Sequence, residues 1–251
     1  MTVLAVAEHR RGELRDVSLE LLTAGRHLAD ATGGELHAAV VGGDVERYAE
    51  QLNREGVDAV HTVEYGEEFN HDVYVQAAEA VVDAVDPTYV LAPNSVNGLD
   101  YVPALAERLG WPLVTDAVGL DAGDGLTVTR ELYSGKAEAE LAVGGERAVV
   151  TIRGAEWPAA EGTGDATVES HDLAIDETAV RSTVTRFQKV GAGDVDITDA
   201  DVLVSVGRGI EEEENLDLVF ELADALDATV SASRPIVDNG WLPQDRQVGQ
   251  S

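Results

Sequence analysis

Cysteine is absent from this chain of 251 residues, and lysine occurs only at Lys136 and Lys189. Without cysteine there is no disulfide, no thiolate nucleophile, no cysteine-ligated zinc and no iron–sulfur cluster. No run of about 18 consecutive apolar residues is present, so the protein is not expected to be membrane-embedded. The N-terminal residues enter a strand-like pattern without a charged leader, which predicts a cytoplasmic protein.

Negative charge is what the sequence has in excess. It contains 48 aspartates and glutamates against 17 lysines and arginines, which gives a formal net charge of −31 at pH 7. Such a surface repels nucleic acid and anionic membranes, so neither is predicted as a partner. A composition with many carboxylates and almost no lysine is typical of cytosolic proteins of salt-loving archaea. The composition therefore predicts a halophilic protein, whose internal repulsion is screened within a few ångströms at about 1 M salt.

The first part of the chain alternates between apolar runs of strand length and amphipathic helical segments. Strands are predicted over 2–7, 35–41, 59–63 and 88–92, and helices over 16–31, 45–53, 71–85 and 100–109. This alternation predicts an α/β fold with a doubly wound, mostly parallel sheet that is covered by helices on both faces.

Four strand-like runs follow, separated by short glycine-containing turns. They cover residues 112–118, 126–132, 137–143 and 147–153. Turns of this kind favour hairpins, so antiparallel additions to the sheet are predicted. One more strand is predicted over 180–186, and we assign residues 1–190 to an N-terminal α/β scaffold domain.

The α/β pattern starts again near residue 201. A buried strand is predicted over 201–206, a helix over 215–226, a strand over 228–231 and loop-like structure over 233–251. Two strands and one helix are too little to bury both faces of a sheet. Residues 195–251 are therefore predicted to be the N-terminal part of a Rossmann-like domain that is incomplete in this chain.

Two arginines follow the two strands of this second domain. Gly207-Arg208-Gly209 comes directly after the first strand, and Ser233-Arg234 comes directly after the second. Ligands of open α/β sheets lie beyond the carboxyl ends of the strands, and guanidinium groups suit a pyrophosphate. The alternative for Arg208 is a tight turn with an exposed arginine. The alternative for the second arginine is an ion pair with Asp238 or Asp245.

Three ordered motifs carry a resemblance to a known family. They are Val206-Gly207-Arg208-Gly209-Ile210, Ser231-Ala232-Ser233-Arg234-Pro235-Ile236-Val237-Asp238, and Trp241-Leu242-Pro243-Gln244-Asp245-Arg246-Gln247-Val248-Gly249-Gln250-Ser251. Together they resemble the flavin domain of the electron-transfer flavoprotein alpha subunit. Pro93-Asn94-Ser95, Gly98-Leu99-Asp100 and Val114-Thr115-Asp116 resemble the N-terminal part of the same family.

The resemblance implies an electron carrier that is not itself an enzyme. FAD would take electrons from acyl-CoA or other dehydrogenases and pass them to a membrane quinone reductase. The N-terminal domain would pack on an electron-transfer flavoprotein beta subunit to form a heterodimer. The resemblance places the following residues at the FAD: Arg208, Ser233, Arg234, Val248, Gly249, Gln250 and Ser251. Arg234 would lie near the isoalloxazine ring.

Two departures from the family pattern affect the expected flavin site. Ser251 stands where the family has threonine, and the sequence ends before the family's further flavin-binding loop. We therefore expect the chain alone to bind FAD weakly or not at all. Two other functions stay open at this point. One is a nucleotide-binding α/β module without redox function, with Asn94–Asp100 at its strand end, and the other is a flavin-dependent dehydrogenase with its own substrate.

No catalytic residue and no metal site are predicted. The six histidines do not occur with the spacing His-x-x-x-His or His-x-His, which would place two imidazoles on one face of a helix or a strand. Within Asn94–Asp100, the alternative to nucleotide binding is a loop that enters a helix, with Asn97 or Asp100 as its cap.

Overall fold

A computed structural model of the chain describes residues 1–123, 125–133, 135–185, 197, 200 and 202–249. The chain divides into two units, Met1–Val184 and Thr185–Ser251. The predicted domain boundary at residues 190–195 lies outside the described residues, so the exact limits of the two domains stay a prediction.

The described residues of the first unit form four α-helices and a large sheet. Its helices are α1 (Asp16–Thr32), α2 (Val45–Leu52), α3 (His71–Val85) and α4 (Val96–Leu109). Its strands are β1 (Thr2–Val6), β2 (His9–Arg10), β3 (Glu13–Leu14), β4 (Glu35–Gly42), β5 (Ala59–Glu64), β6 (Tyr89–Pro93), β7 (Leu113–Asp121), β8 (Thr127–Leu132), β9 (Ala137–Ala142), β10 (Ala148–Ile152) and β11 (Thr167–Ser170). Nine strands form one sheet in the order β11-β5-β4-β1-β6-β10-β7-β8-β9, while β2 and β3 form a separate hairpin.

Helices cover both faces of this sheet, as the sequence pattern predicts. Successive side chains of a strand point to opposite faces. Val3 and Ala5 of β1 join a buried cluster that includes residues of α1 and α2. Leu4 and Val6 join a second buried cluster with residues of α3 and α4. The buried, near-continuously apolar strands are those of a parallel sheet with two covered faces, and the prediction of the α/β class is confirmed.

The antiparallel additions are confirmed for β7, β8 and β9, which pair in that order. The predicted hairpin formed by 147–153 is wrong. Strand β10 instead lies between β6 and β7 and is parallel to both. All five residues of β10 are buried and four of them are apolar, whereas β9 is mostly exposed. A strand that is apolar on both sides is stabilised in the covered centre of the sheet rather than at its edge.

The strand predicted over 180–186 is also wrong, because residues 180–185 carry no strand and residue 186 is not described. Hydrogen bonds to the Asp72 side chain hold this segment in place at Arg181 instead. The backbone N–H of Arg181 donates to Asp72, and its guanidinium donates to the same carboxylate at 2.7 Å. These hydrogen bonds lower the pKa of Asp72. The edge strand that the sequence pattern misses is β11, which is short, exposed along its whole length and parallel to β5.

The second unit contains β12 (Leu203–Val206), α5 (Leu216–Leu226), β13 (Thr229–Ala232) and α6 (Arg234–Asp238). Its buried hydrophobic core consists of Val206, Leu216, Ala223, Val230, Ala232, Ile236 and Leu242. Two expectations are corrected here. The strand predicted as buried is mostly not buried, since Val206 is the one buried residue of β12. In the described part of the unit, α5 is the helix that packs on this strand, so the opposite face is left uncovered. The segment predicted as loop begins with α6, which Pro235 favours at its first turn. No helix among the described residues is long and apolar enough to cross a membrane.

Candidate functional site

The two arginine-containing motifs of the second unit meet at one edge of its sheet. Strands β12 and β13 are parallel, and Val206 lies opposite Ala232 in the register. The residues that follow, Gly207-Arg208 and Ser233-Arg234, therefore leave the same edge side by side. The backbone N–H of Ser233 donates to the carbonyl of Val206 at 2.9 Å, which holds the two strand ends together.

The third motif returns to this same edge. Gln247 forms an isolated parallel bridge with Ala232, and the backbone N–H of Val248 donates to the Ala232 carbonyl at 2.8 Å. Gly249 follows with φ of +89°, a conformation that side chains rarely adopt. The structure thus brings together five of the predicted site residues, which are Arg208, Ser233, Arg234, Val248 and Gly249. Gln250 and Ser251 lie outside the described residues.

Hydrogen bonds across the strands hold the backbone of this edge in place. Ser205 and Ser231, which are register partners, join their hydroxyl groups at 2.7 Å. The guanidinium of Arg246 donates to the carbonyl of Val230 at 2.9 Å, which ties the returning segment to β13. A Cβ on Gly207 would be in ordinary van der Waals contact with the Ser233 hydroxyl, at 3.6 Å. Besides the Arg246 guanidinium, this edge has backbone groups, the Ser233 hydroxyl and the arginines Arg208 and Arg234.

The two arginines at this edge differ in whether they form an ion pair with a carboxylate. Arg234 Nε lies 3.4 Å from an Asp238 carboxylate oxygen, so the predicted alternative of an ion pair with Asp238 is present. Arg208 lies on an exposed 3-10 turn. It forms no ion pair with a carboxylate in the part of the chain that the structure describes. The acidic residues Glu211–Glu214 are exposed and lie before α5 rather than in it, because that helix begins at Leu216.

In the first unit, the corresponding edge holds a carboxylate. Glu8 follows β1, is only 7% exposed, and accepts a hydrogen bond from the Ser95 hydroxyl. Burial raises the pKa of Glu8, with the hydrogen bond from Ser95 acting in the opposite direction. Ser95 in turn accepts from the backbone N–H of Gly98 and so caps α4, rather than Asn97 or Asp100. An acidic side chain at the entry to this helix is unfavourable for a phosphate, which argues against a nucleotide at Asn94–Asp100.

The N-terminal segments that resemble the family also meet in space. The side-chain amide of Asn94 donates to Asp116 at 3.0 Å. The Arg153 guanidinium donates to both carboxylate oxygens of Asp116, at 2.9 and 2.7 Å, and this lowers the pKa of that carboxyl group. Thr151 donates to Asn94 and accepts from the backbone N–H of Asp116. This network connects the ends of β6 and β10 to Asp116 within β7.

Sequence reasoning misses Glu8, Thr151 and Arg153. A detectable feature existed for Glu8 and Arg153, since a charged residue directly follows an apolar strand run in each case. Their partners come from distant parts of the chain. The hydrogen bond between Glu8 and Ser95 spans 87 residues, and the one between Arg153 and Asp116 spans 37.

Comparison with known proteins identifies the family of the chain. Residues 3–176 match the family described as the electron transfer flavoprotein domain, and residues 196–251 match the electron transfer flavoprotein FAD-binding domain. The electron transfer flavoprotein subunit alpha of Methylophilus methylotrophus is 39% identical over 253 residues, covering 99% of this chain and 78% of that protein. The subunit alpha of Syntrophomonas wolfei subsp. wolfei is 35% identical over 97% of this chain and 77% of that protein.

The protein FixB of Clostridium saccharobutylicum is 32% identical over 99% of this chain and 76% of that protein. The two family matches together extend over both units of the fold. The chain therefore belongs to the electron transfer flavoprotein family, and its similarity is to the alpha subunits of that family.

Proposed function

We propose that this chain is the alpha subunit of a heterodimeric electron carrier that holds FAD at the strand-end edge of its second unit. The observation that carries this proposal is the convergence of three separate segments on Ala232 and Val206, through the parallel pairing of β12 with β13 and the return of Val248. The residues present fit the cofactor, because glycines, a hydroxyl and forked cationic donors are the groups that accept a dinucleotide pyrophosphate.

Each residue at the edge has a distinct role in this proposal. Arg208 would bind the anionic part of the cofactor with its forked N–H donors, and Ser233 would donate a hydroxyl hydrogen bond. Gly207 and Gly249 would let the backbone approach the ligand closely. Val248 and Gly249 would line the site together with Gln250 and Ser251. FAD, when bound, would supply the electron-accepting group, and no side chain would perform acid–base chemistry.

Arg234 would tune the electron affinity of the site. A positive charge near the isoalloxazine ring favours the more negatively charged, reduced cofactor by Coulomb attraction. Asp238, whose carboxylate lies 3.4 Å from the guanidinium, offsets part of that charge. Arg234 and Asp238 would therefore set the potential of the site together.

The partners in this proposal are a beta subunit, acyl-CoA or other dehydrogenases as donors, and a membrane quinone reductase as acceptor. The first unit would pack on the beta subunit. Exposed apolar side chains on the first turn of α4 support an interface, since Val96 is 88% and Leu99 is 48% exposed. A cytoplasmic location stays a prediction.

The proposal is tested by titrating FAD into the chain with and without a co-expressed beta subunit, and following flavin fluorescence. We expect weak binding by the chain alone, because the sheet described for the second unit has two strands, which would form only one flank of a dinucleotide site. With the beta subunit we expect a yellow complex. Arg208→Ala should weaken FAD binding by about tenfold, since it removes one charge-assisted interaction of about 1.5 kcal/mol.

The matched control is Arg108→Ala, which removes an exposed arginine of the first unit that pairs with Glu79 at 2.7 Å. It should leave FAD affinity unchanged. Equal losses in the two variants, or full affinity in Arg208→Ala, would contradict the proposed site. Binding of AMP or ATP by the chain in place of FAD would favour the nucleotide-binding module instead.

A further inference from the structure

Three histidines that are far apart in the sequence lie next to one another at the edge of the large sheet. His37 is on β4, His61 is on β5, and His171 directly follows the edge strand β11. In the register His61 lies opposite Glu169, and His171 follows two residues later on the same face. His37 reaches His61 diagonally, because Ala39 is the register partner of His61.

The ring nitrogens and one carboxylate form a close cluster. His61 Nδ1 lies 2.9 Å from His171 Nε2 and 3.6 Å from a carboxylate oxygen of Glu169. One ligand atom from each of these three residues lies within 4.8 Å of the other two. His61 is buried, whereas the Glu169 side chain is 58% exposed and can adjust its position.

We propose that His61, Glu169 and His171 bind one divalent metal ion of the zinc class. Two imidazoles and one carboxylate are a donor set that binds Zn²⁺, with a fourth position left to water. Zinc–ligand distances of about 2.0–2.1 Å place neighbouring tetrahedral ligands roughly 3.3 Å apart. The two distances from His61 Nδ1 lie on either side of that value. Small rotations of the exposed Glu169 and the half-buried His171 therefore suffice to form the site.

The surroundings of His61 have the arrangement of an outer ligand shell. Its second ring nitrogen, Nε2, lies 2.9 Å from His37 Nδ1, and His37 Nε2 lies 3.5 Å from Glu35. With a metal on Nδ1, the Nε2–H group of His61 donates to His37. A metal-bound histidine is commonly fixed in this way by a hydrogen bond from its other nitrogen.

Solvent reaches two members of the cluster, because the Glu169 side chain is 58% exposed and His171 borders a cavity. His171 lines a cavity of about 530 Å³ together with Thr62, Glu64 and Ser170. An ion can therefore approach Glu169 and His171 from solvent, next to the buried His61. Because Glu169 and His171 belong to the edge segment and His61 to β5, the bound metal connects β11 to the interior of the sheet.

The test is a calorimetric titration of the full chain with Zn²⁺ in the presence of excess Mg²⁺ and KCl. Mg²⁺ occupies the many surface carboxylates, whereas imidazole nitrogens select the zinc-class ion. We expect one Zn²⁺ per chain, visible absorption of the Co²⁺ form with nitrogen ligands, and slower amide hydrogen exchange of residues 167–171 when Zn²⁺ is bound.

Variants at exposed or half-buried positions keep the test independent of folding. His171→Ala and Glu169→Gln should weaken Zn²⁺ binding, and His37→Gln should weaken it by about 10–100-fold through the outer shell. The matched control for Glu169→Gln is Glu138→Gln on the exposed edge strand β9, which should bind Zn²⁺ as the unchanged chain does. Circular dichroism verifies that each variant folds.

Several outcomes would overturn the proposal. They are no saturable Zn²⁺ binding above that of Mg²⁺, a stoichiometry other than one, or unchanged affinity in His171→Ala. In any of these cases the three histidines form a hydrogen-bonded chain only. None of these results depends on whether FAD binds to the second unit, so the two proposals are tested separately.

Discussion

Arg153, which directly follows β10, connects polar groups of β7 and β8. Its guanidinium donates to both oxygens of Asp116 and, at 2.6 Å, to Glu131. The side chains of Arg153 and Asp116 are 28% and 26% exposed, so water screens this pair only in part. A bidentate, partly buried arginine–carboxylate pair of this kind stabilises the fold more than an exposed ion pair does.

Arg153→Met should destabilise the chain by about 2 kcal/mol near neutral pH, because it leaves Asp116 and Glu131 without their shared donor. Arg153 lowers the pKa of Asp116. A lowered carboxyl pKa stabilises the fold above the unfolded-state value of about 3.9, and this contribution is lost as pH falls through the folded-state pKa. The difference between variant and unchanged chain should therefore shrink in acid, as measured by urea unfolding from neutral to acidic pH.

The control for this prediction is Arg108→Met, which removes the exposed pair with Glu79. Its cost should be at most about 1 kcal/mol. A cost for Arg153→Met that equals the control, or that does not change with pH, would show that Asp116 does not depend on Arg153.

At the residue scale, the sequence predicts where the chemical groups of the second unit lie and indicates local ion pairs, but not contacts between distant residues. Arg208 and Ser233 follow two parallel strands, and the rule for strand ends places them together. The ion pair of Arg234 with Asp238 is local, four residues apart, and the sequence indicates it as an alternative. His37, His61 and His171 could not be connected from sequence, because the contact between His61 and His171 spans 110 residues.

Helix α4 depends on a glycine at its first turn. A Cβ on Gly98 would lie 1.9 Å from the carbonyl oxygen of Pro93, which ends strand β6. Alanine normally stabilises a helix relative to glycine by about 1 kcal/mol. Here the close approach of helix and strand reverses that preference, because the Pro93 carbonyl is backbone and cannot rotate away.

Gly98→Ala should destabilise the fold by about 2 kcal/mol, as overpacking of a closely packed position does. The control is Gly66→Ala in a loop, where a new Cβ meets no atom within 4 Å. It should change the free energy of unfolding by less than about 0.5 kcal/mol. Thermal and urea unfolding of both variants measure the difference, and a stabilised Gly98→Ala would show that α4 does not approach β6 this closely.

At the element scale, periodicity predicts the first four parallel strands and their helices well, because their apolar runs are buried on both faces. It fails where placement depends on distant partners. Strand β10 looks like the last member of a hairpin series, yet its buried residues pair with β6 and β7. Strand β11 has four exposed residues and pairs along one side only, so its apolar pattern is weak.

The whole molecule carries a formal net charge of −31. In most ion pairs of the described residues at least one of the two side chains is exposed to solvent, so these pairs compensate little of the repulsion between the carboxylates. We predict that the melting temperature rises steeply from low salt to about 1 M KCl, where charges are screened within a few ångströms. Differential scanning calorimetry in a KCl series measures this, with an equal osmolarity of sucrose as the uncharged control. A flat response to KCl would contradict the halophilic prediction.

The position of β10 has a consequence for the order in which the protein can assemble. Residues 89–93 and 113–121 are made first, but the strand that joins them is made later. During synthesis, the backbone groups of β6 and β7 that pair with β10 therefore have no strand partner until residues 148–152 leave the ribosome. Long-range parallel pairings of this kind are slow to form and expose the chain to aggregation. Completion of the sheet is thus a late, chain-length-dependent step, and nascent chains that end before residue 148 have no strand to fill the gap.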